Sequence, residues 1–345
     1  MKVGTSIGFQ NPLQWRVPWP ELYAQTMEFV RRAEAVGLDE VWISEHHFVD
    51  DGYCPSVLPA AAAIAAATQR IRIGSKVILL PFHDPLRLAE DVAVADVISG
   101  GRLDLGLAAG YRRAEFDGFG VDLSERGARM REGLDVLVKA LSGEAFSHDG
   151  RFFRYGPAQV VPPPVQQPIP LWLGGRTRAA MRRAARYRAH LALADFVVDN
   201  CAEDYRSYAA ALAEDGLDVG DFEVVAVASI FLDEDPERAW AIGGPHLLYQ
   251  QNQYQQWFRE AGDRPNDDFE IATTLDDLRA GSALVGTPAD VADRLREFHA
   301  RVPFTQFSFW CLLPGLPPEQ ALGSLELFVR DVLPVLHELR ACARA

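Results

Sequence analysis

Eight short apolar runs, each leading into a segment of helical character, predict an α/β chain folded as a (β/α)8 TIM barrel with insertions after strands four and seven. Three observations lead there. The strand-then-helix alternation persists along most of the 345 residues. The first strand lacks the Gly-x-Gly-x-x-Gly turn that a doubly wound dinucleotide fold would need, since Ser6-Ile7-Gly8 offers nothing like it. Residues 41–48 run from strand-forming Val41, Trp42 and Ile43 straight into Glu45, His46 and His47, and a turn-rich segment follows. A strand that ends in titratable groups is how a barrel places chemistry at its mouth.

The elements follow in order. The first strand is expected over residues 2–8, with a helix over 20–36 stopped by Gly37, a usual C-cap. The second strand is 40–44, and an Ala-dense helix takes 55–68. Residues 70–80 read as the third strand and 85–99 as its helix. Gly100-Gly101 turns the chain into the fourth strand, 102–108, and a long helix occupies 124–141. The strict repeat then lapses: residues 146–161 read as a short β excursion and Pro162-Pro163-Pro164 as a stiff connector. The fifth strand, 169–173, passes through Gly174-Gly175 into a helix over 177–187. The sixth strand is 189–194, its helix 202–214, and the seventh strand 222–231. A polar, aromatic stretch fills 236–280. Thr287-Pro288-Ala289-Asp290 opens a helix with an N-cap and a proline at the first helical position. The eighth strand is 305–310, and one long helix is expected over 317–341. With no solenoid repeat, residues 1–345 read as one domain.

Composition narrows the function. A hydrophobic content of 48% supports an ample core, and no apolar run reaches the roughly 18 residues of a membrane span. The N-terminus reads as a strand and not as a signal peptide. Cys54, Cys201, Cys311 and Cys342 are scattered without CxxC spacing, so reduced thiols in the cytoplasm are expected. A net charge of −14 argues against nucleic acid. The one basic cluster, with arginines at 176, 178, 182, 183, 186 and 188, reads as a solvated helix face whose N-terminal end suits an anionic group.

Three readings are open for Glu45-His46-His47: a metal site, a hydrogen-bonded support for the next loop, or a proton-transfer group. Metal is disfavoured because neighbouring residues on a strand point to opposite faces, so adjacent histidines bind one ion poorly. Leu173-Gly174-Gly175-Arg176-Thr177 opens a helix with two glycines, free amides, a guanidinium and a hydroxyl, which together suit a phosphate. Val285-Gly286-Thr287-Pro288 is the rival phosphate site, although helix capping accounts for it.

At residues 37–48, 73–81, 83–87, 90–91, 100–106 and 118–120 the chain resembles, block by block and in order, the bacterial luciferase-like flavin monooxygenases. The resemblance implies a homodimeric barrel that takes reduced FMN from a separate flavin reductase and forms a C4a-hydroperoxide with O2 to oxygenate a small organic substrate. It places His46 in the active site as the catalytic proton-handling residue and turns His47 toward the barrel wall. It sets Ser75, Lys76 and Val77 at a bend against the flavin ring, often with a non-proline cis peptide. Tyr111 would line the cavity, and Gly174, Gly175, Arg176 and Thr177 would bind the flavin phosphate. Ala108 and Ala109 stand where luciferase carries a reactive Cys and a phosphate-binding Arg, so light emission is not supported. Residues 245–281 correspond to a lid, with His246, Tyr249 and Trp257 as candidate substrate contacts that a surface helix would equally explain. No metal is expected. Two other readings remain open: a deazaflavin-dependent oxidoreductase on the same barrel, and a flavin-binding protein without turnover.

Overall fold

A computed structural model describes residues 1–193, 197–261, 272, 274–281 and 283–343. The barrel strands are β1 (Lys2–Ile7), β2 (Glu40–Ile43), β3 (Arg72–Ser75), β5 (Leu103–Ala108), β8 (Leu171–Gly174), β9 (His190–Ala192), β10 (Val224–Leu232) and β12 (Gln306–Trp310). All pair in parallel, and β10 on β12 with β12 on β1 closes the ring of eight. Outside the ring lie β4 (Ile78–Leu79), which pairs β5, the antiparallel hairpin β6 (Phe146–Asp149) and β7 (Arg154–Ala158), and β11 (Leu284–Gly286), which pairs the end of β10.

The helices are α1 (Trp19–Ala35), α2 (Val57–Ala67), α3 (Pro85–Ser99), α4 (Arg113–Phe119), α5 (Arg126–Leu141), α6 (Arg178–Arg186), α7 (Val198–Glu214), α8 (Pro236–Ala261), α9 (Leu275–Ala280), α10 (Pro288–Arg301), α11 (Pro318–Leu327) and α12 (Leu333–Ala343). Local chemistry sets many of their ends. Asp84 caps α3 by accepting from the Leu86 and Arg87 amides, and Gly100 ends it at φ 66°. Thr287 and Asp290 form a reciprocal capping box on α10, so capping accounts for the rival phosphate motif. No helix among the described residues is long and apolar enough to cross a membrane.

The main apolar core lies between barrel and helices, while Trp42, Trp172, Ala192 and Val225 fill the barrel itself. The two indoles meet edge-on with centroids 5.3 Å apart. Their N–H groups donate to Glu40 (3.0 Å) and Asp104 (3.3 Å) at the floor of the barrel, where Arg72 also pairs Asp104 at 2.7 Å. Buried indoles need such acceptors, so the floor carboxylates and the tryptophans support one another.

The structure departs from the sequence reading at three points. The third strand is not continuous over 70–80 but breaks after Ser75, and Ile78–Leu79 resumes as β4. The C-terminal helix is interrupted by a π-helical turn, Phe328–Val332, just before Pro334, which has no N–H for the ordinary i−4 bond. An additional helix, α4, precedes α5. Of the insertion expected over 245–281, residues 262–271 and 273 lie outside the described residues, and the part from Pro245 to Ala261 belongs to α8.

At the break, the Ser75 hydroxyl donates to the Gly106 carbonyl and accepts from the Gly106 amide, both at 2.8 Å. A Cβ at Gly106 would stand 1.9 Å from the Ser75 carbonyl oxygen. Strand β3 can bend inward only because β5 has no side chain there. Gly106→Ala is therefore expected to cost about 2–3 kcal/mol, read as a lower urea midpoint with an unchanged m-value.

Candidate active site

The C-terminal ends of the strands surround one cavity of about 630 Å³. Its wall includes His46 after β2, Lys76 and Val77 after β3, Ala108 to Tyr111 from the last residue of β5 onward, and Gly174 to Thr177 from the last residue of β8 onward. Eight of the nine residues expected from the sequence therefore meet around one space. Ser75 is the exception. It is buried but absent from the wall, because both bonding functions of its hydroxyl are committed to Gly106.

Strand β2 ends at Ile43, so His46 and His47 stand beyond it in irregular chain. They still turn to different partners. His46 is 7% exposed, and its Nδ1 lies 2.8 Å from Glu115 Oε1. An ionised carboxylate only accepts, so the ring carries its proton on Nδ1 and leaves Nε2 as its uncommitted nitrogen. His47 Nε2 instead lies 2.7 Å from Glu45 Oε1, which also faces the Leu79 amide and His83. Burial raises the carboxyl of Glu45, but hydrogen bonds from His47 and His83 outweigh it and hold the group below its ordinary value.

Glu115, on α4, has no exposed surface. Besides His46, its Oε1 accepts from the His47 amide (3.0 Å) and from Arg112 Nη1 (3.1 Å). Burial pushes this carboxyl up too, yet His46, the His47 amide and Arg112 together bring it below the usual range. Aromatic rings enclose His46. Tyr53 is 4.8 Å away edge-on, Trp257 is 4.6 Å away, and Tyr111 stacks on Phe258 at 4.8 Å. Arg112 sits 4.3 Å over the Trp257 ring, a cation–π contact.

The Lys76–Val77 peptide is cis. Ser44 Oγ donates to the Lys76 carbonyl at 2.8 Å, and the Lys76 amide donates to Ile43 O at 2.7 Å, so β2 fixes this bend. Part of the Lys76 side chain is accessible, but its Nζ is sealed and has no hydrogen-bond partner among the described residues. Burial brings its pKa down to about 7.

The opposite wall is basic. Thr177 caps α6 by accepting from the Ala180 amide, and Gly175 takes φ 136° at the turn. Ser124, Arg126, Gly127 and Arg183 line the cavity beside this turn. Arg176 reaches Asp204 at 3.6 Å. The six-arginine cluster thus divides. Arg178 and Arg182 pair Glu214 on the surface, whereas Arg183 turns inward, and burial together with the Arg131 charge lowers its pKa. Among the described residues no carboxylate pairs with Arg183, an unbalanced cation beside free helix amides.

Sequence reasoning missed Glu115, Arg126, Tyr254 and Phe258, and it left Arg183 within a solvated face. Only the position of Arg183, eight residues beyond Gly175 on the helix that this turn opens, was a usable signal. The other expected lid residues serve the frame: His246 Nδ1 bonds Pro314 O at 2.9 Å, and the Tyr249 hydroxyl donates to Asp51 at 3.0 Å.

Lys76 yields a pH test. Its folded pKa lies below the unfolded value of about 10.4, so the unfolded chain binds more protons between roughly pH 7 and 10.4 and stability rises with pH across that window. Lys76→Met should therefore raise the unfolding free energy at and below pH 7, and urea titrations should show that gain shrinking toward pH 10.

Residues 1–303 match the family model described as luciferase-like monooxygenase. The flavin-dependent trigonelline monooxygenase, oxygenase component, of Acinetobacter baylyi is 25% identical over 94% of this chain and 92% of its own. Among solved structures, the monooxygenase RslO1 of Streptomyces bottropensis superposes with a TM-score of 0.85 at 24% identity, covering 97% of this chain and 99% of that one. The oxygenating constituent of 3,6-diketocamphane monooxygenase of Pseudomonas putida, in complex with FMN, gives 0.78 at 19% identity over 97% and 98%. The coenzyme F420-dependent tetrahydromethanopterin reductase of Methanopyrus kandleri gives 0.73 at 18% over 96% and 98%. With the match running through every barrel strand except the last, the chain belongs to the luciferase-like monooxygenase family.

Proposed function

We propose that this protein is a monooxygenase that receives reduced FMN from a separate reductase and uses O2 to oxygenate a small organic substrate. The observation that carries this reading is one cavity joining a cationic, amide-lined turn at α6 to the His46–Glu115 pair. A volume of about 630 Å³ suits a flavin-sized ligand. The residues present fit such a ligand. Gly174, Gly175 and Thr177, with Ser124, Arg126 and Arg183, would hold its phosphate, and Val77 with Lys76 would meet its ring system. Bound there, reduced FMN supplies the electrons for reaction with O2.

The chain's own residues contribute orientation, proton handling and exclusion of water. Glu115 keeps the His46 proton on Nδ1, so Nε2 takes or returns a proton at the reacting end of the cavity. Tyr111, Tyr254 and Phe258 line the wall beside it with apolar ring faces and Trp257 packs on the His46 ring, which limits the water that would divert a reactive flavin. The relative named as an oxygenase component supports the separate reductase. The exposed Val94, Val97 and Ile98 on α3 support the homodimer.

Reconstitution tests the reading. Oxygen uptake with product formation is expected when a reductase supplies reduced FMN; turnover only with reduced deazaflavin would replace this reading by the hydride-transfer alternative, and binding without turnover by the non-catalytic one. His46→Ala should cut substrate oxidation by about 100-fold at unchanged flavin affinity, and undiminished oxidation would remove His46 from the mechanism. Arg183→Met should weaken FMN about tenfold while leaving riboflavin, which lacks the phosphate, unaffected. Equal loss for both ligands in a fluorescence titration would move the phosphate elsewhere.

A further inference from the structure

Asp51, in the loop after β2, lies outside the cavity wall and has no part in the chemistry described so far. It is 2% exposed, and no basic side chain among the described residues pairs with it. Four donors satisfy it. Its Oδ1 accepts from its near neighbour, the Tyr53 amide, at 3.0 Å. Its Oδ2 accepts from Gln10 Nε2 (2.9 Å), the Tyr249 hydroxyl (3.0 Å) and Gln253 Nε2 (3.0 Å). Gln10 Nε2 also donates to Gln253 Oε1 at 2.7 Å, so the β1 loop, the β2 loop and α8 are tied in one closed network.

Tyr249 and Gln253 are four residues apart on α8 and share one face. Just beyond them the same helix carries the roof of the candidate active site. Tyr254 bonds the Tyr53 hydroxyl at 2.6 Å, and Trp257, one turn past Gln253, packs 4.6 Å from His46. Since each residue turns a helix by about 100°, the rotation fixed at Tyr249 and Gln253 also fixes where Tyr254 and Trp257 point. We propose that Asp51 is a positioning residue: it sets the rotation and height of α8 and so holds Tyr254 and Trp257 over His46. Its effect on catalysis, though not its effect on the helix, rests on the monooxygenase reading.

A carboxylate suits this task because every partner is a donor. An amide in its place would turn hydrogens toward some of those donors, and a buried polar clash of that kind is not relieved by water. Two other bonds hold α8 from different sides, His246 to Pro314 O and Gln250 to Ser229 Oγ at 2.7 Å. Those bonds hold α8 as far as Gln250, so loss of the Asp51 network loosens the helix beyond it, where the Tyr53–Tyr254 bond and the Arg112 contact on Trp257 are left to hold it without a polar anchor at Gln253.

Hydrogen exchange on the whole protein tests this without any activity. Asp51→Asn should speed exchange over residues 249–258 by about tenfold, with β1, β2 and β12 unchanged, and should red-shift emission from Trp257. Ser229→Ala removes a bond of similar length from the barrel side and is the comparator, expected to leave Trp257 emission in place. Tyr249→Phe deletes one donor and should give a smaller gain in exchange, which keeps the test readable if Asp51→Asn does not fold. In the reconstituted enzyme, Asp51→Asn should raise the share of O2 released as hydrogen peroxide, and Ser229→Ala should not. Unaltered protection over 249–258 in folded variants, or equal effects from Ser229→Ala, would overturn the role of Asp51. Absence of oxygenation with every flavin would overturn the functional reading alone, because exchange and emission still decide the placement of α8.

Discussion

One carboxylate oxygen organises the mouth of this barrel. Glu115 Oε1 accepts from the His46 ring, the His47 amide and Arg112, and so ties the chain after β2 to the helix after β5. Removing a carboxylate from water costs several kcal/mol, and three converging donors, two of them on cationic or ionisable groups, offset that cost only if all stay in place. Arg112 then carries the constraint upward, since its guanidinium lies over Trp257 of α8. Three segments far apart in the chain thus share one charge. The position of His46, its tautomer and the ring that covers it are consequences of the same buried anion.

The space around His46 depends equally on missing side chains. Gly106 admits the inward bend of β3, and Gly74 leaves room for Trp42, where a Cβ would stand 2.2 Å from the indole. Ala108, Ala109 and Gly110 keep the end of β5 thin, and Gly174 with Gly175 leave the α6 amides approachable. A wall built from small residues is close to its backbone, and backbone groups are rigid. That is why the bend at Lys76 and Val77 can be held by Ser44 and Ile43 without any bulky support.

Charge is divided between the two ends of the cavity. At the α6 end Arg183 stands unbalanced among the described residues beside helix amides, which favours an anion. At the His46 end the acids are consumed by histidines and by Arg112, so the surroundings of the ring are apolar and close to neutral. An elongated ligand with one anionic terminus and one planar, reactive part matches that polarity. The surface arginines of α6 have no share in it, because Glu214 and Asp135 occupy them.

Whatever depends on neighbours in sequence was legible without the structure. Period and capping mark the barrel strands and most helices, and the residues that end each strand necessarily gather at one face of a barrel; the choice of His46, Lys76, Tyr111 and Gly174 to Thr177 among them came from the resemblance to the luciferase-like family. What depends on partners far along the chain was not legible. The tie of Ser75 to Gly106, the inward turn of Arg183, and the Asp51 and Glu115 networks each join segments that no local pattern relates. Periodicity records which face of an element is buried, but not which group it meets there. That choice belongs to the packing of the closed barrel, where distance in space replaces distance in sequence.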